Sequence, residues 1–250
     1  MSPTTHSFEA PDGVALAWHE MGEGRAVILL HGLFSDARTN WIKFGHADEV
    51  ARRGFRVIMP DLRAHGESAK PHDASAYPPD VLADDGLALI AHLGLGDYDL
   101  GGYSLGSRTS LRMVVRGARP RRLILSGVGL EGMLSLDRRA DHFKTVLRGL
   151  GTHERGSPEW LAEAFLKTTG GDPEALLPLL DSFVGIDAEM LRSIAMPTLV
   201  LTGADDHDNG SAEALAALLP DARHVEVPGN HMSAVTKPEL GRAIGDFLDR

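Results

Sequence analysis

The chain has 250 residues, 43% of them hydrophobic and 24% charged, with no cysteine and a formal net charge of −10. That composition at that length excludes a disordered chain, a fibrous repeat and a disulfide-stapled miniprotein, and the missing thiols exclude Cys-based zinc sites, iron–sulfur clusters and a Cys nucleophile. The acid excess repels phosphate backbones, so nucleic acid is not an expected partner, and no apolar run approaches the roughly 18–20 residues of a membrane span.

Met1–His6 has neither a basic start nor an apolar stretch, so no secretory signal is read there and the expected location is cytoplasmic. His6–Ala10 and Val14–His19 flank Pro11-Asp12-Gly13 and predict a hairpin. Arg25–His31 is a nearly unbroken aliphatic run, as expected for a strand buried on both faces of a parallel sheet. Arg56–Asp61, Asp97–Gly102 (the weakest), Arg122–Ser126, Pro197–Gly203 and Arg223–Pro228 continue the series. Helical patterns fall between them at Asp36–Arg53, Pro79–Leu93, Leu105–Arg116 and Ser211–Leu219, and Pro238–Leu248 closes the chain. Strands alternating with helices predict an α/β fold, its mostly parallel central sheet flanked by helices.

One interval breaks the rhythm. Between Ser126 and Pro197 about 70 residues lack a convincing strand, against the roughly 2–6 usual for such a connection. Helix-like pieces lie near Ser135–Leu150, Ser157–Thr168, Asp172–Phe183 and Asp187–Ile194. The reading is a small helical cap or lid at 129–196, inserted after the sixth strand over the carboxyl edge of the sheet, with 1–128 and 197–250 forming the core domain.

The chemistry-bearing residues follow strands. Gly102-Tyr103-Ser104-Leu105-Gly106 matches G-x-S-x-G between a predicted strand and a predicted helix, where a strained turn would expose a serine hydroxyl. Taken alone, the same residues also suit a strand–helix turn with a capping serine. His31-Gly32-Leu33-Phe34 follows the first buried strand, and His31 reads as a structural hydrogen bonder that shapes the loop. The backbone N–H groups of Leu33 and Leu105 are the candidate oxyanion donors. Thr202–Asp208 holds three aspartates. Counted from Asp206 the twelfth position is Ala217 rather than Glu, so calcium-loop spacing fails and no metal is expected. Pro228-Gly229-Asn230-His231 follows the last strand.

These pieces, together with Pro60–Ser68, resemble the α/β-hydrolase fold superfamily (serine esterase- and lactonase-like members) across nearly the whole chain. The resemblance implies a catalytic triad, with Ser104 as nucleophile, Asp206 as acid and His231 as base, and no cofactor. The family's Gly-x-x-Asp spacing selects Asp206, with Asp205 and Asp208 as alternatives. The family often has Gly-Gly after its elbow, where this chain has Gly106-Ser107. The expected reaction is hydrolysis of carboxylic esters of small to mid-sized apolar substrates through an acyl-enzyme. Lactone, enol-lactone or C–C bond hydrolysis and perhydrolysis stand as alternatives on the same residues, and a non-catalytic ligand-binding role is a further one. Phe34, Trp41, Met232, Phe143 and Trp160 are candidate pocket residues, while Arg63, Arg138 and Arg139 are candidates to meet a substrate carboxylate. The partner expected is a small-molecule ester or lactone, without membrane, and a homodimer is left open.

Overall fold

A computed structural model describes residues 2–250, with the side chains of 136–138 outside the description. Eight strands form one sheet: β1 (Thr4–Glu9), β2 (Ala15–Met21), β3 (Arg25–Leu30), β4 (Phe55–Pro60), β5 (Tyr98–Tyr103), β6 (Leu123–Ser126), β7 (Thr198–Gly203) and β8 (Ala222–Val227). Their spatial order is β1-β2-β4-β3-β5-β6-β7-β8. β2 pairs antiparallel with both β1 and β4, and every pairing from β4 to β8 is parallel. This is the mostly parallel, helix-flanked sheet that the alternating strands and helices predict.

Side chains alternate across a strand, so a run buried on both faces feeds two cores. Ile28 and Leu30 of β3 join Ile58, Leu100 and Leu125 on one face. Val27 and Leu29 join Val57, Ile124 and Leu201 on the other. Helices α2 (Val81–His92), α3 (Leu105–Val115) and α9 (Ala212–Leu218) cover the first face through Leu89, Leu111 and Leu215. Helices α1 (His46–Arg52) and α10 (Pro238–Leu248) cover the second through Val50, Leu240 and Ile244. At about 25 cal/mol per Å² of apolar surface removed from water, these two layers are the main stabilising term.

The interval between β6 and β7 carries α4 (Leu130–Leu134), α5 (Leu136–Arg148), α6 (Pro158–Thr169), α7 (Pro173–Asp181) and α8 (Ala188–Arg192). Its Met133, Leu166, Leu176 and Leu179 belong to the same cluster as β3 and α3, so these helices extend the first core rather than forming a separate one. Three begin at side-chain caps: Ser157 accepts from the Trp160 amide, Asp172 from those of Glu174 and Ala175, and Asp187 from that of Met190. Among the described residues no helix is long and apolar enough to cross a membrane.

The single helix expected over Asp36–Arg53 is two pieces. A π-turn segment, Arg38–Ile42, precedes α1, and Gly45 at φ 80° separates them. The interruption has a local cause. The Asn40 side chain accepts the Gly32 amide at 3.0 Å and is buried, which pins this segment against the β3 loop.

Candidate active site

Ser104 sits between the last residue of β5 and the first of α3, at φ 53°, ψ −109°. A non-glycine residue there is strained by roughly 1–3 kcal/mol and persists only where its surroundings hold it. The surroundings are specific. A Cβ on Gly106 would collide with the Leu30 and His31 carbonyls, and one on Gly102 would collide with Gly106. Only two glycines let α3 come down this close to β5 and β3. The Ser107 hydroxyl lies 2.8 Å from the carbonyl oxygens of both Gly102 and Ser126, and accepts the Ser126 amide at 2.8 Å. The serine that stands in place of a second glycine therefore ties the turn to the ends of β5 and β6.

His231 lies in the loop after β8. Its Nε2 is 3.2 Å from Ser104 Oγ and its Nδ1 is 2.9 Å from Asp206 Oδ2. A carboxylate can only accept, so Nδ1 carries the hydrogen and Nε2 is left as the acceptor facing the hydroxyl. The Asp206 side chain is 1% exposed and that of His231 14%, so the acid is sealed while the imidazole keeps some access to solvent. Asp205 is exposed and is anchored through its backbone, its amide donating to the Gly229 carbonyl at 3.0 Å. Geometry thus places Asp206, rather than Asp205, against the imidazole. Asp206, Asp208 and His231 also bring ligand-type atoms within 4.8 Å of one another.

Two residues in this row escape sequence reasoning. The Tyr103 hydroxyl donates to the His231 carbonyl at 2.6 Å, fixing the loop that carries the imidazole. Burial, with Asp206 and Asp208 nearby, pushes its pKa upward, so it stays a donor. Asn209 Nδ2 donates to the Gly127 carbonyl at 3.1 Å and touches His231 Nδ1 at the same distance. Asn209 is the third residue after Asp206 in the same loop, which is the one signal that points to it.

The loop after β3 faces the serine. His31 is buried, which lowers its pKa. Its Nε2 accepts the Leu62 amide at 3.0 Å, so Nδ1 donates to the Gly32 carbonyl at 2.8 Å. It holds the loop rather than facing the serine. Among the described residues the Leu33 amide has no hydrogen-bond partner, and the Leu105 amide, in the first turn of α3, has no helix carbonyl four residues back to accept it. Phe34 is held at φ 60°, and its carbonyl accepts the Thr169 hydroxyl from the end of α6 at 2.6 Å.

A cavity of about 440 Å³, open mouth included, lies over Ser104; Leu33, Leu105, Val128 and Phe143 form its apolar walls. Phe34 packs edge-on against Phe143, ring centroids 5.3 Å apart. Met232 is exposed beside His231. Trp41 does not line this cavity, contrary to the sequence expectation. It is fully buried in the opposite core, beside His46, because the segment carrying it turns under the sheet before α1. Trp160, in the first turn of α6, is not among the lining residues either. Arg63 is fully committed to Asp85 at 2.7 Å and Asp12 at 2.6 Å, and so cannot meet a ligand. The Arg138 side chain lies outside the described residues, whereas Arg139 lines the cavity.

Residues 25–183 match the family model described as the alpha/beta hydrolase fold. The AB hydrolase superfamily protein YisY of Bacillus subtilis (strain 168) is 30% identical over 80% of this chain and 81% of its own. A non-heme haloperoxidase of Rhodococcus erythropolis is 28% identical, covering 88% and 90%. Among solved structures, a thermophilic esterase from Thermogutta terrifontis superposes with a TM-score of 0.75 at 26% identity, covering 100% of this chain and 98% of that one.

Proposed function

Because the chain belongs to the α/β-hydrolase fold family, we propose that it hydrolyses carboxylic esters of small to mid-sized apolar substrates through an acyl-enzyme on Ser104. One observation carries this reading: the continuous row Ser104 Oγ–His231 Nε2 and His231 Nδ1–Asp206, at 3.2 and 2.9 Å, whose serine lines a largely apolar cavity. A serine hydroxyl needs a base to become a useful nucleophile. His231 takes the Ser104 proton as Oγ bonds to the carbonyl carbon, then passes that proton to the departing alkoxide. Asp206 keeps the imidazole in the required tautomer and stabilises the imidazolium. The Leu33 and Leu105 amides receive the tetrahedral oxyanion, each worth about 3–4 kcal/mol. His231 next takes a proton from water as the water oxygen bonds to the acyl carbon, and passes it to Ser104 Oγ as the acyl–Oγ bond breaks and the acid leaves.

A fluorophosphonate probe tests the nucleophile, and a series of p-nitrophenyl acyl esters tests the reaction. The expected result is labelling at Ser104 and turnover that Ser104→Ala abolishes. Turnover undiminished in Ser104→Ala sinks the assignment. No labelling and no turnover would favour a ligand-binding role instead. Perhydrolysis is the second reading, favoured by the similarity to a haloperoxidase. Peracid formation from acetate and peroxide is its direct assay.

A further inference from the structure

Several arginines of this protein are matched by carboxylates: Arg25 by Asp99, Arg53 by Asp246, Arg56 by Glu20, Arg63 by Asp85 and Arg112 by Asp80. Arg108 is different. Its Nη1 donates to the Gly132 and Met133 carbonyls at 2.9 and 2.7 Å, while its buried Nη2 has no hydrogen-bond partner. Among the described residues no carboxylate pairs with it. Burial, then the like charges of Arg139 and Arg112, lower its pKa to about 10, which leaves it cationic at neutral pH. Keeping a cation there without a counter-ion costs folding free energy, and a bound anion would recover it.

Its position says where such an anion would sit. Arg108 lies one helical turn after Ser104 on the same face of α3, its amide donating to the Ser104 carbonyl at 3.2 Å. Arg108, Ser104 and Arg139 line the same cavity, with Leu105, Val128 and Phe143 between them as apolar wall. Among the described residues the other buried arginine atoms without partners belong to Arg122, near Asp99, and Arg223, over the Phe247 ring, and neither residue lines this cavity.

We propose that Arg108 is the anion-recognition point of this cavity. The substrate is then an ester or lactone whose acyl chain ends, beyond a short apolar spacer, in a second and unreacting carboxylate. The inference rests on Ser104 being the nucleophile, and its test separates the two. The probes are p-nitrophenyl hydrogen glutarate and its neutral twin, the p-nitrophenyl methyl glutarate diester, with background hydrolysis subtracted. Charge-assisted hydrogen bonds predict a kcat/KM for the half-ester about tenfold or more above its twin in the wild type. In Arg108→Met the ratio should fall to about one, and Arg108→Lys should keep part of it. A wild-type ratio at or below one, with both esters turned over, overturns the proposal and leaves the hydrolase reading standing. So does a ratio that survives Arg108→Met, or one that Arg139→Gln alone removes. If Ser104 resists labelling and neither ester reacts, the hydrolase reading fails, and calorimetric titration of glutarate decides the anion site. Binding that Arg108→Met, or Arg108→Lys should the former not fold, weakens at least about tenfold supports the site. Absent or unweakened binding ends it.

Discussion

Two histidine–aspartate pairs stand at strand ends of this sheet, and they have opposite designs. At the end of β4, Asp61 accepts from the Ala37 and Glu67 amides, both at 2.8 Å, and from His19 at 3.3 Å. His19 in turn meets the Thr5 hydroxyl through its other nitrogen at 3.0 Å and is 1% exposed. Every polar atom there is used within the protein. At the end of β7, the Asp206 carboxylate is equally sealed, but its histidine turns the second nitrogen toward a serine that borders a cavity. The same two residue types make a lock when the network closes and, on the proposed function, a reactive centre when one position is left for a ligand.

The comparison can be broken from the reactive side first. Ser104→Ala should cost on the order of 10⁴–10⁶ in kcat with thermal stability held near wild type. A residual rate within tenfold of wild type would count against the assignment. Asp206→Asn should lower kcat by about 10⁴, while Asp205→Asn stays within a few fold. The reverse ranking would transfer the acid role to Asp205.

On the locked side the loss should be stability rather than rate. Burial by itself raises the Asp61 pKa, but the His19 bond and the two amides outweigh it and bring it to about 2. A carboxyl depressed in the folded state stabilises fully above its unfolded value of about 3.9 and loses that contribution as pH falls through about 2, amounting to about 2–3 kcal/mol. Asp61→Asn turns one acceptor oxygen into an NH2 donor, so either the Ala37 amide or the His19–Glu67 pair loses its acceptor, and removes the charge beside His19, which should cost about 3 kcal/mol in urea unfolding. Its stability should also fall less steeply than wild type between pH 4 and 2. An equally steep acid loss in the variant would show that Asp61 does not carry it. The smallest expected effect is Tyr103→Phe. Loss of one hydrogen bond to the His231 carbonyl should lower kcat about threefold to tenfold, with little change in unfolding. An unchanged kcat would remove Tyr103 as a positioning residue.

Much of this was legible because it is local. The β3 run, the Gly–x–Ser–x–Gly turn and the α10 stripe each write their geometry into a few adjacent residues. The helices after Ser157, Asp172 and Asp187 announce themselves by their caps in the same way. β5 looked weak because Gly101 and Gly102 carry no side chain. The structure shows why they must not: Ile124 and Gly106 occupy that space. What stayed hidden depends on long-range meetings. Trp41 reads as a pocket aromatic until the turn at Gly45 and the Asn40 anchor send it under the sheet. Arg63 and Arg108 are equivalent letters in the sequence. Only the folded chain brings two aspartates to one and, among the described residues, none to the other.

The Ser107 hydroxyl also has a consequence in time. By taking the Ser126 amide it ties the last paired residue of β6, through a side chain, into α3. Because Ser107 is fully buried, that amide is shielded from solvent whenever the turn is intact. Its exchange with deuterium should therefore run at the rate of global opening, and Ser107→Gly should shift it toward local fluctuation. The amide at Ser126 is thus a clock for the strained turn, read without any substrate.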